Sequence, residues 1–225
     1  MKKCTLDRAV VAQALGTAML LVIVVGSGIM GERLAQGNAA IALLANSIST
    51  GAGLYVLIVI FAPISGAHFN PALTWVSVWQ GKLSACSGAA YLFAQVCGAL
   101  AGVTAAHGMF GLPLVQVSSH IRSSVGEGFG EIVATFGLIL VITLTSRFRA
   151  AAVPATVAAY IASAYWFTSS TSFANPAVAI ARSMTDTFAG IAPQSVVNFI
   201  GGQIIGAVAA TLLARWFAPA QRHDE

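Results

Sequence analysis

Apolar and small residues fill residues 9–30, 39–62, 85–108, 128–146, 153–171 and 194–218 almost without a charge, and the charged residues collect between these runs. Each run is close to the 20 or so residues that a helix needs to cross a hydrocarbon core of roughly 30 Å. The pattern predicts six membrane-crossing helices, an even number that returns the chain to the side on which it starts. Two stretches break it and resemble each other: residues 65–72, Ser-Gly-Ala-His-Phe-Asn-Pro-Ala, and residues 171–177, Thr-Ser-Phe-Ala-Asn-Pro-Ala. Each is followed by an apolar segment of roughly ten residues, enough for half a bilayer as helix and too little for all of it. These segments are predicted to be re-entrant half-helices.

The repetition extends further. Gln13 to Thr17 in the first span parallels Glu131 to Thr135 in the fourth, and Gln95 to Gly98 in the third parallels Gln203 to Gly206 in the sixth. Three spans separate the copies, so the two halves, about 1–116 and 117–225 of one membrane domain, run in opposite directions through the membrane. Inverted repeats of this kind place a shared site at mid-membrane. Gly98 with Gly102, and Gly202 with Gly206, form Gly-x-x-x-Gly pairs in corresponding spans, the spacing of closely packed membrane helices.

Composition sharpens this reading. At 57% hydrophobic and 8% charged residues, the chain has too little charge to cover a water-soluble globule of its 225 residues. The formal charge of +4 is scattered singly, without the basic stripe that phosphate binding needs, so nucleic acid is not a partner. Lys2, Lys3, Arg8, Lys82, Arg147, Arg149, Arg215 and Arg222 fall on one side of the spans, against Arg33, Arg122 and Arg182 on the other. Positive residues favour the cytoplasm, which puts both termini there, in the cell inner membrane. The first span is longer than the apolar region of a signal peptide and is read as a retained helix. Cys4, Cys86 and Cys97 form no Cys-x-x-Cys pair and imply neither a disulfide framework nor a metal site; no cofactor is expected.

Asn70 and Asn175, each followed by Pro and Ala, carry helix-start signals: the Asn oxygen caps backbone N–H groups, and Pro at the first helical position loses no useful hydrogen bond. With the oxygens occupied by capping, the two side-chain NH2 groups are free to donate to the oxygen of a neutral solute. The half-helix dipoles, roughly half a positive charge each, disfavour cations at their meeting point. Carbonyls of the preceding loops would form a ladder of acceptors, because irregular backbone at membrane depth is tolerated when it is buried in protein or lines a water-filled cavity. Glu131 lies inside a span, where a carboxylate is expensive, and has no basic partner for a proton relay. That argues against an ion-coupled transporter. No nucleophile with a base and no metal cluster stands at membrane depth, so an enzyme is not expected.

Through Asn70-Pro71-Ala72, Asn175-Pro176-Ala177 and the run from Ser65 to Ala72, the chain resembles the major intrinsic protein family, the aquaporins and aquaglyceroporins, over residues 8–218. The resemblance implies an all-α membrane protein, six transmembrane helices plus two re-entrant half-helices in the aquaporin fold, assembled as a homotetramer in the lipid bilayer. It also implies passive passage of small neutral solutes. Selectivity in such pores, aquaporins being the familiar example, rests on diameter, lining hydrogen bonds and an electrostatic barrier.

The same resemblance makes His68 pore-lining and gives Glu131 the task of holding a half-helix loop. Members commonly carry Arg directly after the second triplet; here Val178 stands there. The other positions of the outer filter carry over to Thr50, Ser163 and Ser172, with Phe173 as the alternative to Ser172, which makes a wide and weakly polar filter. Arg182, one helical turn beyond Val178, is expected to snorkel to the outer interface or pair with Asp186, the alternative being a charge in the outer vestibule. Residues 25–30, Val-Gly-Ser-Gly-Ile-Met, and the run from Phe173 to Ala192 look like the bacterial subfamily encoded with arsenic-resistance genes. This implies permeation of undissociated arsenite or methylated arsenic species beside water and glycerol-like polyols. A strictly water-selective pore is the alternative.

Overall fold

The computed structural model of the protein describes residues 3–217, with side chains from Leu6 onward. Lys2 and Arg222, used in the charge count, lie outside the described residues, as do the side chains of Lys3 and Cys4. The regular elements among the described residues are all helical, in the order α1 (Lys3–Leu34), α2 (Ala39–Ser65), α3 (Pro71–Trp79), α4 (Ala85–Met109), α5 (Val125–Phe148), a 3₁₀ turn (Ala150–Ala152), α6 (Val153–Phe167), α7 (Pro176–Arg182) and α8 (Pro193–Phe217). Six stretches, the fifth joining the 3₁₀ turn to α6 (Ala150–Phe167), are long and apolar enough to cross a membrane. The fifth ends at Phe167, four residues before the predicted end, because Thr168 turns into extended backbone and begins the second re-entrant loop. α3 and α7, with 9 and 7 residues, are the two half-helices.

The ends are set by local chemistry. Asn38 caps α2 through its side-chain oxygen, and Ser124 with Glu127 forms a reciprocal capping box at the start of α5. Gly66 closes α2 in the left-handed region at φ 77°. Outward-facing Phe93, Val197 and Trp216 are 74%, 78% and 75% exposed, which water would penalise and lipid does not.

The inverted repeat is visible in the packing. α1 lies against α4 and α5 against α8 as equivalent pairs, each closed by its Gly-x-x-x-Gly. A Cβ at Gly98 or Gly102 would overlap the carbonyl oxygens of Ala14 and Ala18; at Gly202 or Gly206 it would overlap those of Gly128 and Ile132. The backbones are therefore in contact, which fixes the frame around the two half-helices.

Candidate functional site

The two re-entrant loops are built alike, residue for residue. Gly66, Ala67 and Phe69 in the first loop take left-handed φ, as do Thr171, Ser172 and Ala174 at the matching places in the second. A non-glycine residue there costs about 1–2 kcal/mol, and both loops carry a buried side chain that compensates. In the first, Gln13 Oε1 accepts from the Phe69 N–H at 2.8 Å while its amide donates to the Ser65 carbonyl and hydroxyl. In the second, Glu131 accepts from the Phe173 and Ala174 N–H groups at 2.8 Å each and from Gln203 Nε2 at 2.6 Å. Two backbone donors face position 131, which suits a carboxylate; at position 13 one backbone donor and one carbonyl are within reach, which suits an amide.

The loops then enter their half-helices. Asn70 Oδ1 accepts from the Ala72 N–H at 2.9 Å, and Asn175 Oδ1 from Ala177 and Val178 at 3.0 and 3.3 Å. The amide nitrogens cross over: Asn70 Nδ2 donates to the Ala174 carbonyl and Asn175 Nδ2 to the Phe69 carbonyl, both at 2.7 Å. Sequence reasoning left both amide hydrogens of each Asn to a solute. One of each pair is instead committed to the other loop, locking the half-helices together, and one remains.

Among the described residues, no donor reaches the carbonyls of Gly66, Ala67 and His68 in the first loop, or of Thr171, Ser172 and Phe173 in the second. Buried carbonyls are nearly always paired with protein or water. Five of these six residues, all but Thr171, line a cavity of about 100 Å³, room for several waters. Its remaining wall is apolar and follows helical spacing: Leu20 and Val24 of α1, Leu54 and Ile58 of α2, Leu138 and Ile142 of α5, and Val153, Val157 and Ile161 of α6. A polar strip thus faces an oily wall.

His68 lines the cavity at one end. Its Nδ1 lies 3.1 Å from Thr74 Oγ1, which accepts from Gln95 Nε2, which in turn donates to Gln13 Oε1. At the other end stand Thr50, Ser172, Phe173 and Val178, together with two residues that the sequence reading missed or misdirected. Ser163 is not among them. It is exposed, with its Oγ donating to the Tyr160 carbonyl at 2.8 Å, because the cavity face of α6 repeats every four residues from Val153 to Tyr165 and position 163 falls on the opposite side. Tyr165 occupies the place expected for Ser163, its hydroxyl 3.2 Å from Thr50 Oγ1. The four-residue spacing from Ile161 was the available signal.

Arg182 is the second. It neither snorkels nor pairs with Asp186: it is 3% exposed, lines the cavity, donates from Nε to the Ala189 carbonyl, and lies over the Phe173 ring at 3.5 Å from the centroid. The segment after α7 folds back, with the Ile191 N–H donating to the Arg182 carbonyl, and delivers that acceptor. Asp186 instead accepts from the backbone N–H and hydroxyl of Ser119, which hold its carboxyl below the usual range. Arg122, counted by sequence only as a charge, donates to the Ser170 carbonyl and Thr171 Oγ1 and lies 5.5 Å from the same Phe173 ring.

An α-helical bundle of membrane-length spans, with two capped half-helices meeting beside a cavity that has one polar and one apolar side, defines a multi-pass membrane channel. The chain matches the family described as Major intrinsic protein over residues 1–167, and is 50% identical over 216 residues to "Aquaglyceroporin AqpS" of Rhizobium meliloti (strain 1021), covering 96% of this chain and 92% of that one. It belongs to the major intrinsic protein family, whose aquaglyceroporins are channels and not enzymes. A more distant relative, "Probable aquaporin TIP2-2" of Oryza sativa subsp. japonica, is 33% identical over 62% of this chain and 57% of its own. The X-ray structure of the aquaglyceroporin from Plasmodium falciparum superposes with a TM-score of 0.74 over 95% of this chain and 98% of that one, at 20% identity, a likeness of fold.

Proposed function

We propose that the protein is a passive channel for small neutral solutes: water, glycerol-like polyols and undissociated arsenite or methylated arsenic species. The observation that carries this reading is the unpaired loop carbonyls of Gly66, Ala67, His68, Ser172 and Phe173, on residues that line the cavity beside the Asn70 and Asn175 amides and opposite an apolar wall. A hydroxylated solute can exchange its hydration for that strip while its carbon side rides the opposite wall. The polyol part also draws on the 50% identical aquaglyceroporin. The arsenic part rests on the resemblance of residues 25–30 and 173–192, and on Val178 in place of a filter Arg. The channel forms one domain, halved near residues 116 and 117, is embedded in the inner membrane with both termini in the cytoplasm, and assembles as a homotetramer.

A strictly water-selective pore is the second reading, favoured by Tyr165 and Arg182, which make the filter end bulkier than Thr50, Ser172 and Val178 alone. Stopped-flow light scattering on proteoliposomes separates the two. Glycerol and arsenite entry above that of empty liposomes, together with water, supports the wider pore; water flux alone gives the strict one. In the wider pore, Val178→Arg lowers glycerol and arsenite flux more than water flux, by about tenfold relative to it, the scale of filling a weakly polar constriction with a hydrated cation. Equal loss for all solutes would count against the filter role of position 178.

A further inference from the structure

We propose that Arg182 supplies the filter with its cation from one helical turn beyond Val178, and that with Ser172 it forms a subsite for hydroxyl-bearing neutral solutes while repelling cations. The inference rests on the neutral-solute reading and specifies which residues select within it. Val178 and Arg182 lie four residues apart on α7 and both line the cavity, so the guanidinium shares the face on which the expected filter charge is missing. It is fixed by two contacts, the Phe173 ring beneath its plane and the Ala189 carbonyl at Nε. These engage one of its five N–H hydrogens. The four on Nη1 and Nη2 meet no acceptor among the described residues, and the side chain belongs to the lining of the cavity.

Ser172 is an independent second observation. It is 3% exposed, lines the same cavity, and its Oγ has no hydrogen-bond partner. Ser172 Oγ is closed off as it stands, and a turn of its side chain toward the cavity lets a solute hydroxyl that accepts from a terminal Arg182 nitrogen also donate to it, replacing two hydration contacts at this end. Arg182 makes no ion pair among the described residues. Arg122, over the same ring, adds a second positive charge; Glu131, the nearest carboxylate, is turned to the loop N–H groups and Gln203. The field at this end therefore stays positive, which bars cations and protons without filling the space beside Val178.

The test uses the full chain in proteoliposomes, with proton conductance read from an internal pH dye under a potassium diffusion potential, and water and glycerol flux from light scattering. Arg182→Met should raise proton conductance relative to water flux about tenfold, the effect of one charge acting over about 10 Å at a protein's effective dielectric. Arg182→Lys should keep the conductance low. Ser172→Ala removes only a hydroxyl and should lower the glycerol-to-water ratio about threefold, the worth of one hydrogen bond; this variant and Arg182→Lys decide the matter if Arg182→Met does not fold. Unchanged conductance in Arg182→Met, or an unchanged ratio in Ser172→Ala, overturns the proposal. So does an equal loss of every flux in both Arg182 variants, the mark of a residue that only ties α7 to Ala189. A wild-type protein that passes neither water nor glycerol would instead sink the channel reading, a failure visible before any variant is made.

Discussion

Glu131 gathers three donors on two oxygens, at membrane depth and with no exposure to solvent. The value of that arrangement lies in what it holds: Phe173 and Ala174 sit between the left-handed Ser172 and the cap Asn175, so the carboxylate sets both the second re-entrant loop and the entry of α7. A glutamine at this position offers one acceptor oxygen and points an NH2 group at a backbone N–H. Glu131→Gln is expected to cost about 1.5–3 kcal/mol, the range for hydrogen bonds to a charged group. Thermal unfolding in detergent should show a lowered midpoint, and all solute fluxes should fall together because the loop as a whole is misplaced. A selective change in one solute would contradict the supporting role.

The helices owe their positions to contact between backbones more than to side-chain bulk. Gly98 and Gly206 meet the carbonyl oxygens of Ala14 and Ile132, atoms that cannot swing aside. Gly98→Leu or Gly206→Leu should therefore destabilise by at least about 3 kcal/mol, the upper end for overpacked interiors, and reduce the yield of folded protein in size-exclusion chromatography. Gly201, on the same helix as Gly206, has open space where its Cβ would be. Gly201→Ala should leave the yield and melting temperature unchanged or slightly raised, since Ala favours helix over Gly by about 0.5–1 kcal/mol. Similar losses at positions 201 and 206 would mean that general helix packing, and not these close approaches, sets the frame.

At the scale of the whole molecule, no acid–base pair lines the cavity among the described residues. Glu131 is turned to three loop and side-chain donors and His68 meets Thr74 through Nδ1, and neither makes an ion pair with which to exchange a coupling ion. Flux should follow the solute gradient alone. Glycerol uptake into proteoliposomes is expected to proceed at the same rate with or without an imposed proton or sodium gradient; acceleration by either gradient would point to a coupled transporter. The outward apolar faces suit both lipid and neighbouring copies, and chemical cross-linking in membranes is expected to stop at a tetramer.

The six spans, the half-helices, the inversion and the two Asn caps could all be read from the order of residues, because each is enforced locally. Lipid demands length and apolarity in every crossing segment, and an Asn-Pro cap acts within three residues of itself. The exchange of amide hydrogens between Asn70 and Asn175 was not legible, since it depends on two loops about a hundred residues apart arriving face to face. Nor was the filter. A shift of two positions along α6 rotates the face by about half a turn, which replaced Ser163 with Tyr165. Arg182 turned inward for a reason that no local pattern contains: the returning segment and the second loop bring the Ala189 carbonyl and the Phe173 ring to its side chain. Solvent and short-range caps thus wrote the scaffold into the sequence, whereas the lining of the pore was set by rotations and long-range approaches that exist only once the helices have packed.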